Sequence, residues 1–195
     1  MILDPQVRCY QCTSDRIQRV LEQDWMHLVH TKRILDSPNY LKERGCPVVA
    51  LWGEFSLIIF LDPILTPAQG FGFENAGHTP ALVRSITHFF RTATPGGVYL
   101  MAGTPTHWRT SDGDADRHPE FVDVWLNEFD AISPWTIGRY NTEDEADHFA
   151  ATKMQGDIDL IKRRNDEGRW RRIDYIPVVH PGASVRTSAI RPILC

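Results

Sequence analysis

The residues with the greatest chemical reach are gathered in a few short stretches. Gly103 to Asp114 carries His107, Trp108, Arg109, Asp112 and Asp114, and Ser133 to Tyr140 carries Trp135, Arg139 and Tyr140. Trp52 closes the apolar run Val48 to Leu51, and His180 stands before Pro181 and Gly182. A flat aromatic ring offers an apolar face to the C–H face of a pyranose, while Arg, His and Asp beside it can hydrogen-bond the hydroxyls. Sugar binding suits this set. The competing reading is that Trp52 and Trp135 only plug the end of a barrel and that Asp112 and Asp114 lie in an exposed turn. Residue types alone leave both open.

Other chemistries find less support. The chain has no GxSxG elbow, no GxxxxGK[ST] phosphate loop, no HExxH and no strand-linked GxGxxG. His107, Asp112, Asp114, Asp116 and His118 include metal-ligand types, but their irregular loop spacing matches no defined ligand set, so no metal is expected. Cys9 and Cys12 form one CxxC without a second CxxC or a His pair to complete a zinc site. With Cys46 and Cys195 they make four cysteines, too few for a disulfide framework in 195 residues, and a reducing compartment fits. No cofactor is expected.

Charge narrows the partners. The net charge of −4 comes from 21 basic and 25 acidic residues that are interspersed, leaving no polybasic stripe for phosphates or anionic lipid. The densest basic run, Lys162 to Arg172, is interrupted by Asp166 and Glu167 and reads as a solvated helix end. Nucleic acid is therefore not an expected partner. The apolar stretch Phe55 to Leu65 is broken by Ser56, Asp62 and Pro63 and is too short to span a bilayer. The first residues lack the pattern of a secretory signal, so the expected location is cytoplasmic.

Several elements position these stretches. Ser14 or Asp15 caps an amphipathic helix over about residues 15–34, with Ile17, Val20, Leu21, Trp25, Leu28 and Val29 at three- and four-residue steps. Val48 to Trp52 reads as a buried strand. Thr79 and Pro80 start a helix through Phe90, and Val98 to Ala102 follows as a second strand. Pro119 opens a helix through Phe129, before a third strand at Ala131 to Pro134. Asn141 or Thr142 begins one longer helix through Ile161, and Ile173 to Val179 supplies a fourth strand. Helices alternate with strands and no tight hairpin is expected, which implies parallel pairing with right-handed crossovers. A doubly wound sheet and a segment of a (β/α)8 barrel both satisfy that order. In either, function gathers at the carboxyl ends of the strands, where the stretches above fall.

The order of strand-end motifs resembles that of glycoside hydrolase family 71/99-like proteins, some labelled xylosidase or arabinosidase. The likeness is carried by Pro47 to Trp52, by Gly103 to Thr110 with Asp112 to Asp114, by Asp130 to Arg139 and by Tyr175 to Gly182, within about residues 17–184. It implies a single α/β domain, a partial (β/α)8 TIM-type barrel of about four parallel strands, with carbohydrate as the partner. On it, Trp52, Trp108, Trp135 and Tyr140 are expected sugar platforms, and His107, Arg109, Asp112, Arg139 and His180 are expected to contact hydroxyls. A complete barrel of this kind takes about 250 residues.

The chain departs from the family pattern in three places. Residues 1–15 take the place of further barrel strands, and Val185 to Cys195 reads as a divergent tail. The sixteen residues Glu54 to Gln69 separate Trp52 and Gly53 from Gly70 to Phe73, as a retained in-frame intron of a eukaryotic gene would, and are expected outside the sheet. Family members place an acidic pair on a later strand end, beyond residue 195, so the catalytic residues of this chain are left unassigned. The expectation is a glycoside hydrolase-like polypeptide without its catalytic carboxylates; the alternative is a noncatalytic carbohydrate-binding remnant or a product without independent function. Sheet edges left open invite non-native self-association.

Overall fold

The computed structural model describes residues 18–52, 79–115, 118–168 and 171–178. Helix α1 runs over residues 18–26 and passes into a π-helical turn, His27–Thr31, then a 3-10 turn, Ile34–Asp36. Trp25 and Val29 are its buried residues, and Trp25 also donates its indole N–H to Thr94 Oγ1 (3.0 Å). The expected Ser14 or Asp15 cap lies outside the described residues. So do Cys9, Cys12, the segment Glu54 to Gln69, His180 and the tail.

β1 (Lys42–Glu43) and β2 (Cys46–Leu51) form an antiparallel pair joined by Arg44 and Gly45, with φ of 51° and 79°. This corrects the expectation of no tight hairpin. Two consecutive left-handed residues suit a two-residue hairpin turn, and Gly45 adopts that conformation without a Cβ penalty. β1 is too short, and too polar on both faces, to register as an alternating pattern in sequence.

The remaining elements are α2 (Pro80–Ala93), β3 (Tyr99–Thr104), α3 (Glu120–Glu128), β4 (Ala131–Pro134), α4 (Glu143–Phe149), α5 (Gln155–Asp166) and β5 (Asp174–Tyr175). Thr79 caps α2, accepting from Leu82 N–H at 3.1 Å, and Thr142 caps α4, accepting from Glu145 N–H at 3.2 Å. Both threonines were legible as caps. The long helix expected from residue 141 runs without interruption from Glu143 to Asp166, with a π-helical segment, Ala150–Met154, inside it between α4 and α5. β5 itself is short, but its ladder with β4 continues past it, as the expected fourth strand requires: Ile176 N–H donates to the Ile132 carbonyl (2.9 Å) and Val178 N–H to the Pro134 carbonyl (3.0 Å), where Val178 bridges Trp135.

The strands lie in the order β1-β2-β3-β4-β5, parallel from β2 onward, in a curled, half-barrel-like sheet. β4 is buried at every residue, and Leu100, Ala102 and Ile132 have no exposed surface. A parallel strand covered on both faces needs such a continuous apolar run. Against it pack Val83, Ile86 and Phe90 of α2 and Phe121, Val124 and Trp125 of α3.

Charges tie the amino ends of the strands together. Asp130 accepts from Leu100 N–H (2.8 Å) and Arg91 Nη2 (3.1 Å), and Asp174 accepts from both Arg44 Nη2 and the Tyr99 hydroxyl. Burial, then Asp174 beside it, pushes the Tyr99 phenol well above its ordinary value. These groups lie opposite the strand ends where chemistry gathers in such folds, and they serve stability. Among the described residues no helix is long and apolar enough to cross a membrane.

Candidate functional site

At the carboxyl ends of the strands, Trp52 follows β2 and Trp135 follows β4, with β3 between them. Their rings meet edge to face, centroids 5.7 Å apart at 72°. Trp52 is 39% exposed, a large apolar ring open to solvent, while Trp135 is half-buried. Gly103 makes the pairing possible: a Cβ at that position would fall 2.3 Å from Trp52 Cδ2. A glycine inside a strand marks such a close approach.

The loop after β3 adds polar groups around one carboxylate. Asp114 accepts from the backbone N–H of Thr106 and of His107 (both 3.1 Å), from His107 Nδ1 (2.7 Å) and from Arg139 Nη2. Arg139 Nε donates to Thr106 Oγ1 (2.9 Å), and that hydroxyl donates to the Trp135 carbonyl. Burial works to raise the Asp114 carboxyl, but the bonds from His107, Arg139 and the two amides outweigh it and hold the group below its ordinary value. Asp114 is thus a half-buried hub rather than a residue of an exposed turn. Asp112 is exposed, and accepts from the Thr110 hydroxyl at 2.8 Å.

Trp108 and Arg109 point to a second carboxylate that sequence reading missed, Asp157 on α5. Trp108 Nε1 donates to Asp157 Oδ2 (3.1 Å), Arg109 Nε to Oδ1 (2.7 Å) and the Tyr175 hydroxyl to Oδ2 (3.0 Å). Burial is the largest influence on Asp157 and raises its carboxyl, although Arg109, Tyr175 and Trp108 all act to lower it. Gly156 belongs to the same arrangement, because a Cβ there would lie 2.5 Å from Arg109 Nη2. Glycine inside a helix costs about 1 kcal/mol relative to alanine, and this close guanidinium gives it a reason. An Asp beside a Gly within a helical stretch was the available signal.

The expected platforms therefore divide. Trp52 and Trp135 come together at the strand ends, and the Trp135 carbonyl is joined through the Thr106 hydroxyl to Arg139. Trp108, only 1% exposed, offers no ring face and is a core residue. Tyr140 is buried too, its ring 5.5 Å from that of Phe149. Arg109 is turned to Asp157 instead of to open space, and Asp112 stands apart from the Asp114 hub. The physical reason is loop packing: a Trp at a strand end turns inward when a buried acceptor is within reach of its N–H.

A groove of about 390 Å³ adjoins Arg139, lined by Glu145, His148, Phe149 and Lys153. A cavity of about 420 Å³ lies near the amino ends, between Val29, Arg33, Lys42 and Pro95, away from the tryptophan pair. The first continues the strand-end face and is the more relevant to it. Among the described residues, no group of three or more His, Cys, Asp or Glu side chains is placed to hold a metal ion. Compared with family models, with curated proteins and with solved structures, the chain matches none.

Proposed function

We propose that this chain binds carbohydrate at the strand carboxyl ends of a partial TIM-type barrel like that of glycoside hydrolases of the 71/99-like group, and that it does not cleave glycosides by itself. The observation that carries the reading is the Trp52–Trp135 pair, whose Trp135 carbonyl is linked through the Thr106 hydroxyl to Arg139 and so to the His107–Asp114–Arg139 network. A pyranose stacks its C–H face on Trp52 and turns its hydroxyls toward Arg139 and His107. Asp114 holds those two donors in place.

Cleavage asks for more. One acid must protonate the leaving oxygen, while a carboxylate or an activated hydroxyl acts at the anomeric carbon. Asp114 is held ionised and fully engaged, which disfavours it as a proton donor. Asp157 has the raised carboxyl an acid needs, yet it is only 4% exposed and its oxygens already accept three bonds. Asp112 is exposed, and its carboxylate accepts from the Thr110 hydroxyl instead of joining the Asp114 network.

The test is a tryptophan-fluorescence titration of the purified chain with xylo-, arabino- and manno-oligosaccharides, alongside Trp52→Ala and Trp135→Ala and an aryl-glycoside assay. Saturable quenching that disappears in Trp52→Ala, without turnover, is the expected result. Absence of saturation with every sugar would favour the alternative in which the two tryptophans merely close the end of the sheet.

A further inference from the structure

We propose that Asp157 is the positioning residue of the strand-end face: one carboxylate on α5 docks the loop after β3 and so fixes where His107, Asp114 and Arg139 stand. The inference deepens the carbohydrate reading, but its decisive measurement does not depend on that reading being right.

The loop is gripped through adjacent residues. His107 turns to Asp114, while Trp108 and Arg109 turn to Asp157. Displacing Trp108 and Arg109 must therefore drag His107 and the two amides that bind Asp114. Between them the chain takes left-handed conformations at Ser111 (φ 53°) and Gly113 (φ 57°), and a Cβ at Gly113 would sit 2.8 Å from His107 Nδ1. Ser111 is unfavourable there and persists only where surrounding contacts hold it. Bonds within the loop close its turn, with Ser111 N–H donating to the His107 carbonyl (3.0 Å), while the Asp157 bonds are what tie that turn to α5 and β5.

A buried carboxylate is also a costly way to fill space. Desolvating it is offset only where geometry and donors are good, so its use signals a defined arrangement over generic packing. The groups bonded to Asp157 come from two elements, Trp108 and Arg109 from the loop and Tyr175 from β5, so the carboxylate joins the loop to both helix and sheet. Asp130, buried to a similar degree, makes its bonds at the opposite end of the strands and provides an internal control.

The experiment is amide hydrogen exchange on the full chain and on Asp157→Asn and Arg109→Gln, with sugar titration in parallel. At least tenfold faster exchange at the Thr106 and His107 amides is expected in both variants, with the Leu100 amide, bonded to Asp130, unchanged. The double variant should add little to either single one, because both remove the same link. Unchanged exchange at Thr106 and His107, or an equal rise at Leu100, would overturn the proposal. Should Asp157→Asn not fold, Arg109→Gln and Trp108→Phe decide it by the same amides. If the parent binds no sugar the carbohydrate reading fails while the exchange result stands; if it binds, affinity in Asp157→Asn should fall at least tenfold.

Discussion

The indole of Trp52 lies so close over Gly103 that the smallest side chain has no room there, with a Cβ only 2.3 Å from Cδ2 of the ring. The exposed aromatic face at the carboxyl end of β2 is thus placed by what is missing from β3. Its edge-to-face contact with Trp135 then spans from β2 to β4 across that glycine.

Gly103→Ala should expel the Trp52 ring. The glycine does not occupy the left-handed region, so alanine is conformationally acceptable and only the ring contact is at stake. Overpacking of this kind costs about 1–3 kcal/mol. Tryptophan emission should shift to the red and any sugar affinity should fall at least tenfold. An unchanged emission spectrum would show that the ring does not rest on β3.

Trp108→Ala should be among the most damaging single changes, because the side chain is 1% exposed and its N–H serves Asp157. Losing a buried tryptophan costs roughly 3–5 kcal/mol. Trp108→Phe keeps most of the volume but takes one donor from the carboxylate, a loss of about 1–3 kcal/mol. Urea unfolding of both variants measures the difference. Near-wild-type stability in Trp108→Ala would mean that the ring is solvated, as a sugar platform would be.

Asp114 gives stability an acid limb. Its folded carboxyl lies below the ordinary value of 3.8, so the fold favours the ionised form. The contribution is fully present above that ordinary value and is lost as pH falls through the depressed folded value. Asp114→Asn should be less stable than the parent near neutrality, and the gap should close on acidification. Urea midpoints from about pH 6 to about pH 2 read this. A gap that widens in acid would mean the carboxyl is raised in the fold. Asp157 is shifted the opposite way, so it adds a contribution that grows in acid and should not be confused with the Asp114 limb.

The two threonine caps should differ in reach. Thr79→Ala removes an acceptor from α2, whose Val83, Ile86 and Phe90 belong to the core, and should cost about 1 kcal/mol of global stability. Thr142→Ala acts on α4, which buries no residue, so its loss should appear as faster exchange at the Glu145 amide with a small change in global unfolding. Equal global effects would show that α4 is coupled to the core more tightly than its burial indicates.

Much of the scaffold could be read from local pattern. Thr79 before Pro80 marks a helix start by its own hydroxyl chemistry, and Ala131 to Pro134 reads as a buried strand because its burial is continuous. Alternation of such elements yields a mostly parallel sheet, and Trp52, His107, Trp135 and Arg139 fall at strand ends by position alone. The β1–β2 hairpin escaped notice because two-residue strands carry no period. The π-helical segment between α4 and α5 escaped because such a turn preserves the composition of a helix while changing its backbone bonds.

The sequence by itself determined which residues reach the strand ends, because strand and helix periods are set within a few residues of each other. It could not determine which way their side chains turn there. Trp52 and Trp108 are the same residue type, each beyond the carboxyl end of a strand, yet one lies open over Gly103 and the other is drawn inward by Asp157, 49 positions away. That choice is tertiary: it depends on whether a buried acceptor or a missing Cβ waits on a neighbouring element, and neither is visible from the tryptophan's own surroundings in the chain.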